Sequence, residues 1–316
     1  MGGATENGQV WQMIEDTIEK KVFVTGASGR LGRAVLKMLP DAIPLVRNAA
    51  GLPHEVVTDF SSENLKPILM RAKAIIHLAG SLDFNDKEKL WQGNVELTRR
   101  IVEASPPTCR IILSSSISVY GKKLAQIPAN EHTPCKPDSE YAKSKFMAEQ
   151  VVSSHPEHAI LRIGTVYGPQ FGDYLILLKK VEEGKMMIIG DGRNRIPFVH
   201  VDDVAKAIAS GIDRGSGVYV LAGDLSSNPL TQEGIFRVAA DALHVNPPSR
   251  HVSYTLSWWF AWLRNRLGKK GFTTEHIAIL GSDRVFDCAK ANEEIGFSPR
   301  PLEQGIREMV RVLKGS

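Results

Sequence analysis

The sequence predicts an α/β fold: a doubly wound parallel sheet with a small C-terminal substrate lobe. Three observations carry that expectation. A short apolar strand, Lys21–Val24, runs straight into the turn TGASGRLG and then into the helical stretch RAVLKMLP. Further apolar runs recur at Ala42–Val46, Val56–Thr58, Ala74–Leu78 and Arg110–Leu113, with helical patterns such as 86–104 between several of them. Strands alternating with helices make βαβ units, and right-handed crossovers lay them into one parallel sheet. Past residue 165, glycine and proline punctuate the chain from Pro169 to Pro229. Such punctuation predicts a smaller, irregular region built onto the sheet.

Each part of the chain then has a place. Residues 1–20 read as an extension, in which Trp11, Ile14 and Ile18 share one face of a short helix over 9–20. Residues 21–165 form the sheet-and-helix core. Residues 166–316 form mainly the lobe, with segments returning to the core.

Composition excludes several classes. The chain has 316 residues, 43% hydrophobic and 23% charged, with a net charge of +4. That is neither disordered nor low-complexity composition, and the length suffices for a large core. The excess of four charges is too small to predict nucleic-acid binding. Cys109, Cys135 and Cys288 show no paired spacing, so neither disulfides nor a zinc site is expected, and a reducing, cytoplasmic location fits. No run approaches the roughly 18 apolar residues of a membrane span, and the N-terminus lacks a secretory pattern.

Gly26, Gly29 and Gly32 sit between a strand and a helix. Glycines there allow a tight turn and close approach of backbone to a pyrophosphate, while the helix N-terminus offers free N–H groups. The layout predicts a dinucleotide site. A free ribose 2′-hydroxyl is usually held by an acid about 20 residues on. Arg47 stands there instead, and a guanidinium suits a 2′-phosphate. Arg30 adds a second cation. The expected cofactor is therefore NADP, with NAD held by backbone contacts as the alternative. Asp59, after the third strand, is placed to accept from an adenine amino group.

Tyr141 and Lys145 are spaced i, i+4 in the helical stretch EYAKSKFMAEQ, so they share a face. A neighbouring ammonium is expected to lower the phenol pKa. Such a tyrosine exchanges a proton with a carbinol oxygen while hydride moves. Upstream, IILSSSISVYG is a strand ending in hydroxyls, where open parallel sheets bind ligands. Of its serines, Ser116 is the expected partner of the reacting oxygen.

These segments resemble extended short-chain dehydrogenase/reductases of the NAD-dependent epimerase/dehydratase type. The match runs through TGASGRLG, HLAG (77–80), GNVELTRRIVEA (93–104), SSSISVYG, YAKSKFMAE, LRIGTVYGP (161–169), PFVHVDDVAKAI (197–208) and FDCAKANEEIGFSPRPLEQGI (286–306). The resemblance implies a Rossmann-type sheet, a Ser116–Tyr141–Lys145 triad, and Asn94 fixing the helix that carries it. It implies cofactor contacts from Gly26, Ser28, Gly29, Arg30, Leu31, Gly32, Arg47, Asp59, Phe60, Leu78, Ala79, Gly80, Tyr141, Lys145, Ile163 and Thr165. Ser81, Ser118 and Arg195 are the candidate substrate contacts. It also implies a homodimer through the helices near 86–104 and 140–154.

Two positions depart from sugar-nucleotide members of this group, which often carry Asn where Thr165 stands and Arg where Ile196 stands. Either an oxidoreductase acting on a secondary alcohol or a nucleotide-sugar 4-epimerase or dehydratase remains open. The segment YTLSWWFAWLRNR (254–266) is too short to span a bilayer but could lie on one, and the basic run RNRLGKK (264–270) follows it directly. A packed helix or the cap of a lipophilic pocket are its other readings. His155 and His158 lack a third ligand nearby, so a surface loop is expected there and no metal. His200 is expected to be structural, with an N-capping aspartate at 202 or 203.

Overall fold

The structure is a computed structural model that describes residues 21–84, 86–223, 231–266, 277 and 281–315. The expected helix over 9–20 and the last four residues of the basic run lie outside the described residues.

Seven parallel strands form the central sheet: β1 (Lys21–Thr25), β2 (Ile43–Val46), β3 (Val56–Val57), β4 (Ala72–His77), β5 (Arg110–Ser116), β6 (His158–Ile163) and β10 (Gly217–Leu221). Their order across the sheet is β3-β2-β1-β4-β5-β6-β10. The central strands are near-continuous apolar runs because helices cover both faces. Ala74, Ile75 and Ile76 of β4 and Ile111 and Ile112 of β5 are fully buried. One face carries α1 (Arg30–Met38) and α7 (Val201–Ser210). The other carries α2 (Ser62–Leu69), α4 (Leu97–Ala104) and α5 (Glu140–Ser153). The order reverses between β1 and β4, where doubly wound sheets open a crevice for ligands.

The helical pattern over 86–104 is not one regular helix. α3 (Lys87–Trp91) passes through a π turn, Gln92–Glu96, into α4. Gly93 lies inside that turn, where a Cβ would come within 3.0 Å of the Ser81 Cβ. Close approach of two chain segments at this point explains the glycine and the wide turn, which aims Asn94 at Ser81.

After residue 165 the chain is shared between core and lobe. β7 (Thr165–Tyr167) pairs in parallel with β9 (Phe198–His200). α7, β10 and α10 (Ala289–Ile295) then complete the core. The lobe has its own apolar centre, made by α6 (Gly172–Glu182), α8 (Gln232–Leu243) and α11 (Leu302–Lys314). A two-stranded pair, β8 (Ile188–Ile189) with β11 (His251–Val252), precedes the Trp-rich helix α9 (Tyr254–Arg266). No helix among the described residues is long and apolar enough to cross a membrane.

Candidate active site

A cleft of 1260 Å³ opens at the C-terminal ends of β1, β2, β4 and β5. Its floor is glycine backbone. Gly26 has φ +68, and a Cβ there would lie 2.6 Å from the Ala79 nitrogen. A Cβ at Gly32 would fall onto the Gly26 carbonyl. The Gly29 N–H donates to that carbonyl at 3.0 Å, closing the turn. Gly29 then caps α1, which has neither a side-chain cap nor an acid in its first turn. An uncapped helix start behind a turn that only glycine fills is the cradle a pyrophosphate needs. The residues present therefore fit a dinucleotide.

The HLAG turn beside it rests on a buried relay. Thr98 Oγ1 donates to the Asn94 carbonyl at 2.6 Å, so its proton is used. His77 Nε2–H must therefore donate to Thr98 Oγ1 (2.9 Å), leaving Nδ1 to accept from Thr25 Oγ1 (2.7 Å). Thr25 Oγ1 in turn accepts from the Ala79 N–H at 3.2 Å. Burial, and secondarily the Lys145 charge, pushes the imidazole down to about 3, so His77 is a neutral strut. Its role was hidden in a motif that reads only as a cofactor contact.

Two of the three residues expected to form a triad, Ser116 and Tyr141, line the cleft, and Lys145 does not. Ser116 ends β5, and Tyr141 and Lys145 lie in the first turns of α5, which Ser139 caps through the Ala142 N–H. Ser116 and Tyr141 both line the cleft, and their side chains are hydrogen-bonded. Ser116 Oγ also donates to Ser118 Oγ at 3.0 Å. The Phe84 ring meets Tyr141 edge-on, with centroids 5.2 Å apart. Burial raises the phenol pKa, and the Ser116 bond offsets that only in part. The direction is thus opposite to the lowering expected from Lys145. Burial is the cause; the Lys145 Nζ donates to the Ser114 carbonyl at 2.5 Å. Burial lowers this ammonium to about 8, against a raising influence of Glu149.

Next to these residues lies a buried ion pair. Arg162 donates through Nε and Nη2 to Glu149, the latter at 2.8 Å, and through Nη1 to Tyr120 Oη at 3.0 Å. Ser115 Oγ donates to Glu149 Oε1 at 2.5 Å. Asn94 sits in the π turn, as its Nδ2 donates to Ser144 Oγ in α5 (2.9 Å) and its Oδ1 accepts from the Ser81 N–H (2.8 Å). It joins α5 to the cleft wall.

The remaining predicted residues divide. Ser28, Gly29, Arg30, Leu31, Arg47, Phe60, Leu78, Ala79, Gly80, Ser81, Ser118 and Thr165 line the cleft. Arg47 is exposed at the end of β2. Arg30 is engaged, with Nη1 3.3 Å from Asp173 and its guanidinium 5.0 Å over the Phe171 ring. Asp59 does not line the main cleft. It borders a smaller hollow of 560 Å³ shared with Arg47, where it accepts from the Ser61 N–H (2.8 Å) and Asn64 Nδ2 (3.0 Å). Those bonds hold its carboxyl down near 2. Ile163 points into the core, 5% exposed, and does not line the cleft. Arg195 is turned away onto Asp283, with Nε–Oδ1 2.9 Å and Nη2–Oδ2 2.5 Å. Arg284, which sequence reasoning missed, lines the cleft instead, 3% exposed, and donates from Nη2 to the Ile117 carbonyl at 2.8 Å. Its only signal was a place two residues before the FDCAKA match.

Two expectations outside the cleft need correction. His155 is buried rather than in a surface loop, with Nε2 2.7 Å from the Cys109 carbonyl. His200 itself caps α7, accepting from the Asp202 N–H at 3.3 Å. Asp203 does not cap, since it holds Arg300 (Nη2–Oδ1 2.9 Å). Ligand atoms of His200, Asp202 and Glu308 lie within 4.8 Å of one another, but the Arg300 guanidinium already binds Glu308 at 3.0 Å.

A glycine cradle at the switch point of a doubly wound sheet defines a dinucleotide-dependent enzyme class. The model of the NAD dependent epimerase/dehydratase family matches residues 22–222, and the chain belongs to that family. It is 24% identical to a mouse protein named sterol-4-alpha-carboxylate 3-dehydrogenase, decarboxylating, over 94% of this chain and 92% of that one. It is 28% identical to an Escherichia coli protein named N-acetyl-alpha-D-glucosaminyl-diphospho-ditrans,octacis-undecaprenol 4-epimerase, over 71% and 72%. Among solved structures, gox2253 has TM-score 0.74 at 26% identity, covering 94% of this chain and 98% of that one. MoeE5 in complex with UDP-glucose and NAD has TM-score 0.72 at 23% identity, over 93% and 99%.

Proposed function

We propose that the protein is an NADP-preferring oxidoreductase that interconverts a secondary alcohol and a ketone, with Tyr141 as acid and base. The observation carrying this reading is the convergence of Ser116 and Tyr141 on the wall of the cleft that the glycine turn floors. When bound, a nicotinamide dinucleotide supplies the hydride acceptor or donor. Ser116 Oγ orients the carbonyl oxygen. Tyr141, kept protonated by burial, gives its hydroxyl proton to that oxygen in reduction and takes it back in oxidation. Lys145, on the next turn of the same helix, holds the ribose and adds positive charge behind the phenol. Arg47 faces the 2′-phosphate. Substrate is a small molecule, and the lipid words in the names of two of the curated relatives, sterol and undecaprenol, support a lipid-borne alcohol. Ser81, Ser118 and the buried Arg284 face it. The chain pairs into a dimer through α3, α4 and α5, which size by light scattering would test.

The second reading is a 4-epimerase, favoured by the name of the bacterial relative. Against it stand Thr165, Ile196 and the commitment of Arg195 to Asp283. Denaturing the purified protein and identifying the released nucleotide separates the two. An empty protein that consumes NADPH in preference to NADH supports the reductase. Tightly held NAD, with no net turnover of added cofactor, overturns it.

A further inference from the structure

We propose that α9 docks the protein onto a membrane surface bearing anionic lipid. Helices of globular proteins normally turn their apolar stripe to the core, but this one turns it outward. Leu256, Trp259, Phe260 and Leu263 follow the i, i+3, i+4, i+7 spacing of one face, and they are 63%, 58%, 62% and 42% exposed. Trp258 and Tyr254 add 38% and 39% beside them. Among the helix's described side chains, Ala261 is the buried one, at 3%.

The length decides how such a helix meets lipid. Its 13 residues reach about 20 Å at 1.5 Å per residue, short of the roughly 30 Å hydrocarbon core. It therefore lies in the interface plane. Tryptophan and tyrosine prefer that depth, where an apolar ring body meets lipid and the polar edge meets water.

Charge selects the lipid. From Tyr254 to Lys270 the sequence contains no acid, while Arg264, Arg266, Lys269 and Lys270 follow the stripe. The Arg266 guanidinium sits 5.4 Å over the Trp262 ring, so one of these charges is carried at the end of the apolar face. Basic residues near an anionic leaflet are attracted to its negative surface potential. A second copy of this chain would bring the same positive segment instead of a complementary one. The inference does not depend on which alcohol the cleft takes.

Sedimentation of the full chain with phosphatidylcholine vesicles, with and without phosphatidylserine, tests this. Brominated lipid read by tryptophan fluorescence gives an independent measure. The protein should pellet with the phosphatidylserine vesicles, and brominated lipid should quench it. The variant L256S/W259S/F260S should lose partitioning by about tenfold or more, with thermal melting and cofactor titration unchanged. A charge variant, R266E/K269E/K270E, should lose the preference for phosphatidylserine. Wild-type protein that stays in the supernatant and is not quenched overturns the proposal. So does a serine variant that folds and binds vesicles as well as wild type. A wild type that ignores vesicles but forms dimers which the serine variant abolishes would identify a second copy as the occupant, again overturning it.

Discussion

The cofactor half and the lobe do their work with different atoms. Around the cleft floor the backbone acts: the Gly26 turn, the open start of α1 and the Ala79 N–H. In the lobe, side chains act across long sequence distances, as in Arg195–Asp283, and Arg300 ties Glu308 of the lobe to Asp203 of the core helix α7. Backbone function tolerates almost no change of residue type, since a single methyl group fills the space. Side-chain function can be moved from one residue to another, as Arg284 lining the cleft while Arg195 faces away illustrates.

That contrast can be broken, beginning where the effect should be largest. Gly26→Val places a branched side chain at φ +68 against the Ala79 backbone. Cofactor titration should detect no binding, and retained binding would refute the cradle. Tyr141→Phe removes the hydroxyl, with its proton and its Ser116 bond, and keeps the ring. Turnover should fall by about 10²- to 10⁴-fold, with cofactor affinity within a factor of two, roughly, because the ring and its packing persist.

Arg162→Met leaves Glu149 charged and buried, with side chains only 7% and 2% exposed in the native pair. Urea unfolding should show a loss of about 3–5 kcal/mol, and a smaller loss would mean water reaches Glu149. Arg47→Asp should lower the NADPH-to-NADH preference by roughly 10- to 100-fold, the worth of a charged hydrogen bond. An unchanged ratio would give the phosphate to Arg30. At the small end stands the lobe: Arg195→Ala breaks a pair whose side chains are 41% and 38% exposed. Its cost in unfolding should stay within about 1 kcal/mol.

How much was legible in the sequence follows the same division. The glycine turn, the Tyr141–Lys145 spacing and the Ser116 strand end are local patterns, and Gly26, Tyr141 and Ser116 line the cleft while Lys145 does not. The long-range partners are not local. Nothing near Glu149 announces Arg162 on the neighbouring strand, and nothing near Ile117 announces Arg284. The tyrosine pKa was misjudged because spacing shows that Lys145 shares a face with Tyr141. It does not show how deeply the phenol is buried, and burial is what raises its pKa. Asp59 and Ile163 were carried by position alone, and the side-chain directions differ.

The return of β10 to the central sheet has a consequence for how the molecule is made. β10 pairs with β6 through Gly217–Leu221, so the sheet lacks its last strand until Leu221 has left the ribosome. Until then β6, an apolar strand in the sequence HAILRI, presents a bare edge of the kind that recruits other chains. A nascent or truncated chain ending near residue 165 would hold the glycine turn, Ser116, Tyr141 and Lys145 and still be prone to aggregate. The lobe is thus not an appendage that could be removed, because the chain must travel through it before the core can close.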